Sequence, residues 1–196
     1  MNKTYKWFFP LRRTHTGILL GNNLLGLMVW GEENVLRITM GRSDLWDHRG
    51  GMPWTEKMSY KNIRDCLQRN DEKGLRDLFE KTSEKEGEPP RPSIIPVGRF
   101  ELVLNKKSVL EEGTLNIGEG LVTVYGRDGN KKFSLEIRVD MDDPLFAVKT
   151  AGVENLTIKA VPVWEQLGNY LSTISFTPPS FINESNLCGW VQHLPA

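Results

Sequence analysis

The sequence predicts a mainly β protein: an antiparallel β-sandwich with a short helical insertion. Three observations carry that prediction. Runs rich in β-branched and aromatic residues at period two recur along most of the 196 residues, spaced by about 10 to 14 residues, as in sandwiches and unlike βαβ units. Turn-forming residues separate these runs. One central stretch alone switches its apolar residues to helical spacing.

Residues 17 to 21 (GILLG) and 25 to 31 (LGLMVWG) are short apolar runs bounded by glycine, which suits buried strands. Gly21, Asn22, Asn23 and Gly26 form the turn between them, since Gly and Asn tolerate positive φ in a tight hairpin. A second turn at Gly31 to Asn34 leads into VLRITMG, where Val35, Arg37 and Thr39 share one face and Leu36, Ile38 and Met40 the other.

In the middle stretch, Ile63, Cys66 and Leu67 share one helical face, and Leu75, Leu78 and Phe79 share another. Asn70-Asp71 interrupts the pattern and caps a second helix. The insertion covers about 57–85, and the prolines of GEPPRP end it. Strands resume from Ser93: GRFELVL, TLNIG, LVTVYGR, KFSLEIRVDM, LFAVKT and NLTIKAVPV. The polar, proline-bearing stretch from Glu165 to Asn186 is expected as a long surface loop, and LCGWVQHL as a last strand. Residues 1–196 therefore form one β-sandwich domain. The ending at HLPA, directly after a strand, raises the expectation of a longer parent protein.

Lys plus Arg and Asp plus Glu number 25 each. That balance gives no electrostatic case for nucleic acid or an anionic membrane as partner. There is no apolar run of the roughly 18 residues needed to span a bilayer. The short WFFPL run before Arg12 and Arg13 is too brief for a secretory signal. The expectation is a cytoplasmic chain, or one from a periplasmic or secreted parent whose leader is missing here. Cys66 and Cys188 lie far apart and are read as free thiols, with no metal-type CxxC pair.

The chemistry-bearing cluster is DLWDHRGG, residues 44 to 51. Asp44, Asp47, His48 and Arg49 offer a general acid, a metal ligand and an anion clamp. A metal site needs converging ligands, and only His15 and His193 add imidazole, so no metal or other cofactor is expected. A structural reading puts the Trp in the core and pairs Asp with Arg at a strand end. A carbohydrate-rim reading has an aromatic ring stack on a sugar while polar groups bond its hydroxyls. Its residues are Trp46, Asp47, His48, Arg49 and Trp54, with Trp46 and Trp54 exposed. An autonomous enzyme would combine Asp47 and His48 with Asp140 or Glu136. The run Asp140 to Asp143 reads better as a solvated turn, and GxSxG, GxGxxG and phosphate-loop patterns are absent.

The stretch GNNLLGLMVWG, residues 21 to 31, followed by Leu36-Arg37-Ile38 and Asp44-Leu45-Trp46, resembles the start of glycoside hydrolase family 95, the α-L-fucosidase-like enzymes, and related bacterial (α/α)6-barrel glycosidases. The similarity spans about thirty residues and continues only as a loose pattern to LCGWVQ. Asn23 stands where the family has the second glycine of Gly-Asn-Gly, and the helical insertion has no counterpart in the family pattern. The resemblance implies an antiparallel β super-sandwich that is an N-terminal accessory domain, with catalysis in a helical barrel downstream in the same polypeptide. No family catalytic residue maps onto this chain, so the resemblance implies a non-catalytic domain with carbohydrate and the barrel as partners. A free-standing carbohydrate-binding module is the alternative.

Overall fold

Asn22 sets the first hairpin through its side chain. Its Oδ1 accepts the N–H groups of Leu24 and Leu25 at 2.8 and 2.7 Å, the Asx geometry by which this residue substitutes for a backbone turn. Neither Asn22 nor Asn23 takes positive φ, so the turn rests on hydrogen bonding and not on left-handed backbone. Gly21 is required by proximity, because a Cβ there would sit 2.8 Å from the Leu25 carbonyl oxygen. Gly26 already lies within a strand, opposite Gly21.

The computed structural model of the chain describes residues 3–51, 54–80 and 86–195; the part of the predicted insertion at 81–85 and residues 52 and 53 of the Gly-Gly-Met-Pro loop lie outside them. In chain order the elements are β1 (Thr4–Phe8), a 3-10 turn (Thr14–Thr16), β2 (Ile18–Gly21), β3 (Leu25–Glu32), β4 (Val35–Arg42), β5 (Trp46–Asp47), α1 (Tyr60–Gln68), α2 (Glu72–Phe79), β6 (Ser93–Ile94) and β7 (Gly98–Val103). They continue with β8 (Ser108–Asn116), β9 (Leu121–Asp128), β10 (Lys131–Val139), β11 (Phe146–Ala151), β12 (Thr157–Pro162), α3 (Trp164–Thr173), β13 (Ser180–Glu184) and β14 (Leu187–Val191). Mainly β architecture with antiparallel pairing and a helical insertion is thus the fold. Among the described residues no helix is long and apolar enough to cross a membrane.

The described residues gather into two compact units. The first comprises those up to Leu45, Ile95–Leu167 and Pro178–Gln192. It holds two five-stranded antiparallel sheets, ordered β1-β8-β9-β10-β11 and β12-β7-β4-β3-β2. Alternation sends Leu27 and Val29 of β3, Leu36 and Ile38 of β4 and Leu102 of β7 inward. Val122 and Val124 of β9 and Leu135 and Ile137 of β10 meet them in one shared core. That is the two-layer sandwich arrangement. Glycine makes room for a ring in this core: a Cβ on Gly126 would lie 2.3 Å from the Phe133 ring.

The second unit comprises Trp46–Ile94, Gly168–Thr177 and the residues from His193. Ser59 caps α1 by accepting from the Asn62 N–H, and Asp71 caps α2 by accepting from the Gly74 N–H, so both helices begin at side-chain oxygens that satisfy open donors. Met58, Cys66, Leu171, Ile174 and Phe176 are buried in this unit. Leu67, expected on the buried face of α1, is 58% exposed; Cys66 alone is buried there.

The expected loop from Glu165 to Asn186 is instead largely regular. It contains most of α3 and all of β13, which pairs with β14. Trp164, Leu167 and Leu171 recur at helical spacing in α3, a signal diluted by the polar residues between them.

Candidate functional site

The predicted rim begins where β5 pairs with β6, Trp46 opposite Ile94 and Asp47 opposite Ser93. Strand alternation turns Asp47 inward, 7% exposed, and Trp46 outward, 42% exposed. Trp46 is therefore not the core residue that the structural reading placed there.

Arg49 encloses the Asp47 carboxylate. Asp47 Oδ1 accepts from the Arg49 backbone N–H and from its Nε, both at 3.0 Å. Asp47 Oδ2 accepts from Arg49 Nη2 at 2.8 Å, completing a bidentate pair of the strongest geometric type. The same Nη2 donates to the Ile174 carbonyl at 2.8 Å, and Nη1 donates to the Gly87 carbonyl at 3.3 Å. The guanidinium also lies 5.9 Å from the Phe176 ring centroid. Arg49 thus joins three separate segments of the second unit. The hydrogen bond from the Arg49 side chain outweighs burial and holds the Asp47 carboxyl below the usual carboxylate range. A carboxylate so held is a poor proton donor near neutral pH.

The adjoining glycines let this segment lie against another backbone. Gly50 has φ +75°, and a Cβ there would fall 1.8 Å from the Pro89 carbonyl oxygen. The Gly51 N–H donates to the Pro90 carbonyl at 3.1 Å. Glycine supplies the backbone conformation that L side chains rarely adopt.

The rings stay outside. Trp46 and the exposed His48 have centroids 6.2 Å apart with planes tilted by 35°. Trp54 is 77% exposed, and its nearest ring is Phe79, with centroids 6.4 Å apart. The segment therefore divides its labour: Asp47 and Arg49 bond inward, while Trp46, His48 and Trp54 face solvent.

The other carboxylates offered for catalysis are placed in turns and on strand faces. Asp44 pairs with Arg42 at 2.6 Å on the surface. Asp140 Oδ1 accepts the backbone N–H groups of Asp142 and Asp143 at 2.9 and 3.0 Å. Those bonds keep its carboxyl low, in the solvated turn that the sequence suggests. Asn22 ties this turn to the first hairpin by donating to the Asp140 and Asp143 carbonyls. Glu136 is half-buried on β10, opposite Lys149 of β11. Among the described residues no three His, Cys, Asp or Glu side chains converge to hold a metal ion.

Sequence reasoning passes over a second ring-bearing surface, the outer face of the β1-β8-β9-β10-β11 sheet. Phe8 stands opposite Glu112, and Glu112 opposite Tyr125. Both rings are exposed, with Glu111 and Lys132 around them, at a hollow of about 330 Å³. The signal was present as two aromatics at outward strand positions, but register between distant strands is needed to unite them. No protein-family model matches the chain, and no curated protein matches it.

Proposed function

We propose that this chain is a non-catalytic accessory β-sandwich of a glycoside hydrolase. In this reading it packs on a helical-barrel catalytic domain of the same polypeptide and lends the segment from Asp44 to Trp54 to carbohydrate binding. The observation that carries the reading is the division within that segment. Its acid and its arginine are engaged with each other and with backbone, which leaves rings at the surface and no poised acid-base pair. Exposed tryptophan offers an apolar face to the C–H side of a sugar ring. The resemblance of residues 21 to 46 to family 95 supports the choice of parent.

The test is titration of the full chain with neutral oligosaccharides, followed by tryptophan fluorescence, beside an assay with aryl glycosides. Binding should be lost in Trp54→Ala with the circular dichroism unchanged, and no aryl glycoside should be cleaved. Cleavage that disappears in a folded Asp47→Asn variant would overturn the reading in favour of an enzyme.

One observation favours the alternative, a free-standing carbohydrate-binding module: the Phe8 and Tyr125 platform on a sheet face. In that case Phe8→Ala, and not Trp54→Ala, removes the sugar affinity.

A further inference from the structure

On the first unit, β7 and β12 pair with Lys159 opposite Glu101 and Val161 opposite Arg99, and β4 places Arg37 opposite Glu101 from the other side. Glu101 is the one carboxylate among these three cations. Its Oε1 accepts from Arg99 Nε at 2.8 Å and from Arg37 Nε at 3.3 Å. Arg37 itself lies over the Trp30 ring, 5.0 Å from its centroid, and the Trp30 Nε1 donates to Thr39. Burial pushes the Glu101 carboxyl up, but the hydrogen bond and charge of Arg99 and the charge of Arg37 outweigh it and the net shift is down. Glu101 is therefore ionised and occupied.

Beside this cluster, β7, β12 and the β13–β14 hairpin line a groove of about 510 Å³, within the range of small-ligand sites. Its lining is mixed in chemistry: Phe181 and Ile158 are apolar, while Asn183 and Glu165 bring hydrogen-bonding groups. Among the described residues Arg99 uses only its Nε, and Lys159 makes no ion pair. The charged lining of the groove, Arg99 and Lys159 against Glu101 and Glu165, is neutral. Glu101, however, is already bonded by Arg99 and, from β4, by Arg37, so the Lys159 ammonium and the Arg99 Nη groups keep no anionic partner among the described residues.

We propose that this groove binds a carboxylate-bearing sugar, a hexuronate, with its carboxylate between the Arg99 guanidinium and the Lys159 ammonium and its ring against Phe181. Guanidinium and ammonium donors are the groups that recognise carboxylates in charge-assisted hydrogen bonds. A lining that combines an aromatic ring with hydrogen-bonding groups suits a ring with a C–H face and hydroxyl edges. The inference rests on the carbohydrate reading only for the ring; the carboxylate contact rests on the open donors of Arg99 and Lys159.

The experiment is a titration of the full chain, followed by backbone amide NMR shifts, with a trigalacturonide, its uncharged galactose counterpart and inorganic phosphate. The trigalacturonide should move the amides of β7, β12 and β13 and bind at least tenfold more tightly than the uncharged sugar. Lys159→Ala, a change at an exposed side chain, should weaken it about tenfold, as expected for loss of one charged hydrogen bond. Equal affinity for the uncharged sugar, tighter binding of phosphate, or unmoved amides in those strands would each overturn the proposal. Trp54→Ala separates it from the broader reading. Loss of neutral-sugar binding in that variant, with β7 and β12 silent toward the uronate, sinks the groove alone. Uronate binding that needs Lys159, with no sugar affected by Trp54→Ala, supports the groove and sinks the role of the Trp54 segment.

Discussion

Arg49 and Asp47 form a paired charge inside the second unit, and the cost of breaking such a pair exceeds the gain from making it, because the survivor stays desolvated. Arg49→Ala should therefore lower the stability of that unit by about 2–4 kcal/mol, somewhat below the fully buried case since the guanidinium edge meets water. Arg49→Lys recovers only part, having no bidentate fork. Urea denaturation followed by far-UV circular dichroism reads both. The pH dependence has a fixed sign. The Asp47 carboxyl is lowered in the folded state, so its contribution is present above the unfolded carboxylate value of about 3.9. It is lost as pH falls from there through the folded value. Thermal melts of the wild type should drop steeply below about pH 4, and Asp47→Asn should flatten that part of the profile. At Trp54 the opposite holds: an exposed ring can be removed within about 0.5 kcal/mol. The sequence made the Asp and Arg pairing legible through their i, i+2 spacing beside a strand end. It could not reveal the carbonyls of Gly87 and Ile174 as further acceptors, since those lie 38 and 125 residues away.

Among the elements, the strands were the readable part, because a sheet with one dry face must alternate. Leu36, Ile38 and Met40 are buried as the alternation of β4 requires, and their neighbours Arg37 and Thr39 face out. Leu27→Ala, which empties a fully buried position in β3, should cost about 2–5 kcal/mol in the same denaturation experiment. Gly50→Ala should also be strongly destabilising, since the added carbon meets the Pro89 carbonyl and the backbone has positive φ. The two insertion helices were readable from spacing and from the Asp71 cap. The two-residue β5 and β6 were not, since a strand that short has no period. α3 was hidden by Gly168 and by its polar residues, with Leu171 as its one buried residue.

At the level of the whole chain, the two units differ in how their amides are shielded. The first has continuous ladders over a large apolar core. The second has short helices, of which α1 buries only Cys66 and α2 buries no residue. Hydrogen exchange should therefore be slowest in β3, β4, β9 and β10 and faster by orders of magnitude in α1 and α2. Composition predicted no net charge, and that neutral total concealed the three cations Arg37, Arg99 and Lys159 around Glu101. Only the register of β4, β7 and β12 brings those cations together.

The two cysteines, both unbridged, fall one to each unit: Cys66 is buried on α1, and Cys188 is half-buried on β14. The native chain therefore carries a separate chemical clock for each half. Under a pulse of alkylating reagent, the rate at Cys66 follows opening of the second unit. Half-buried Cys188, in the lining of the groove, sets a native-state baseline from which a faster rate reports loosening of the first, and both are resolved by peptide mass without any added label. Arg49→Ala then becomes a test of cooperativity. If it accelerates Cys66 alone, the halves melt independently; if it accelerates both, they melt as one.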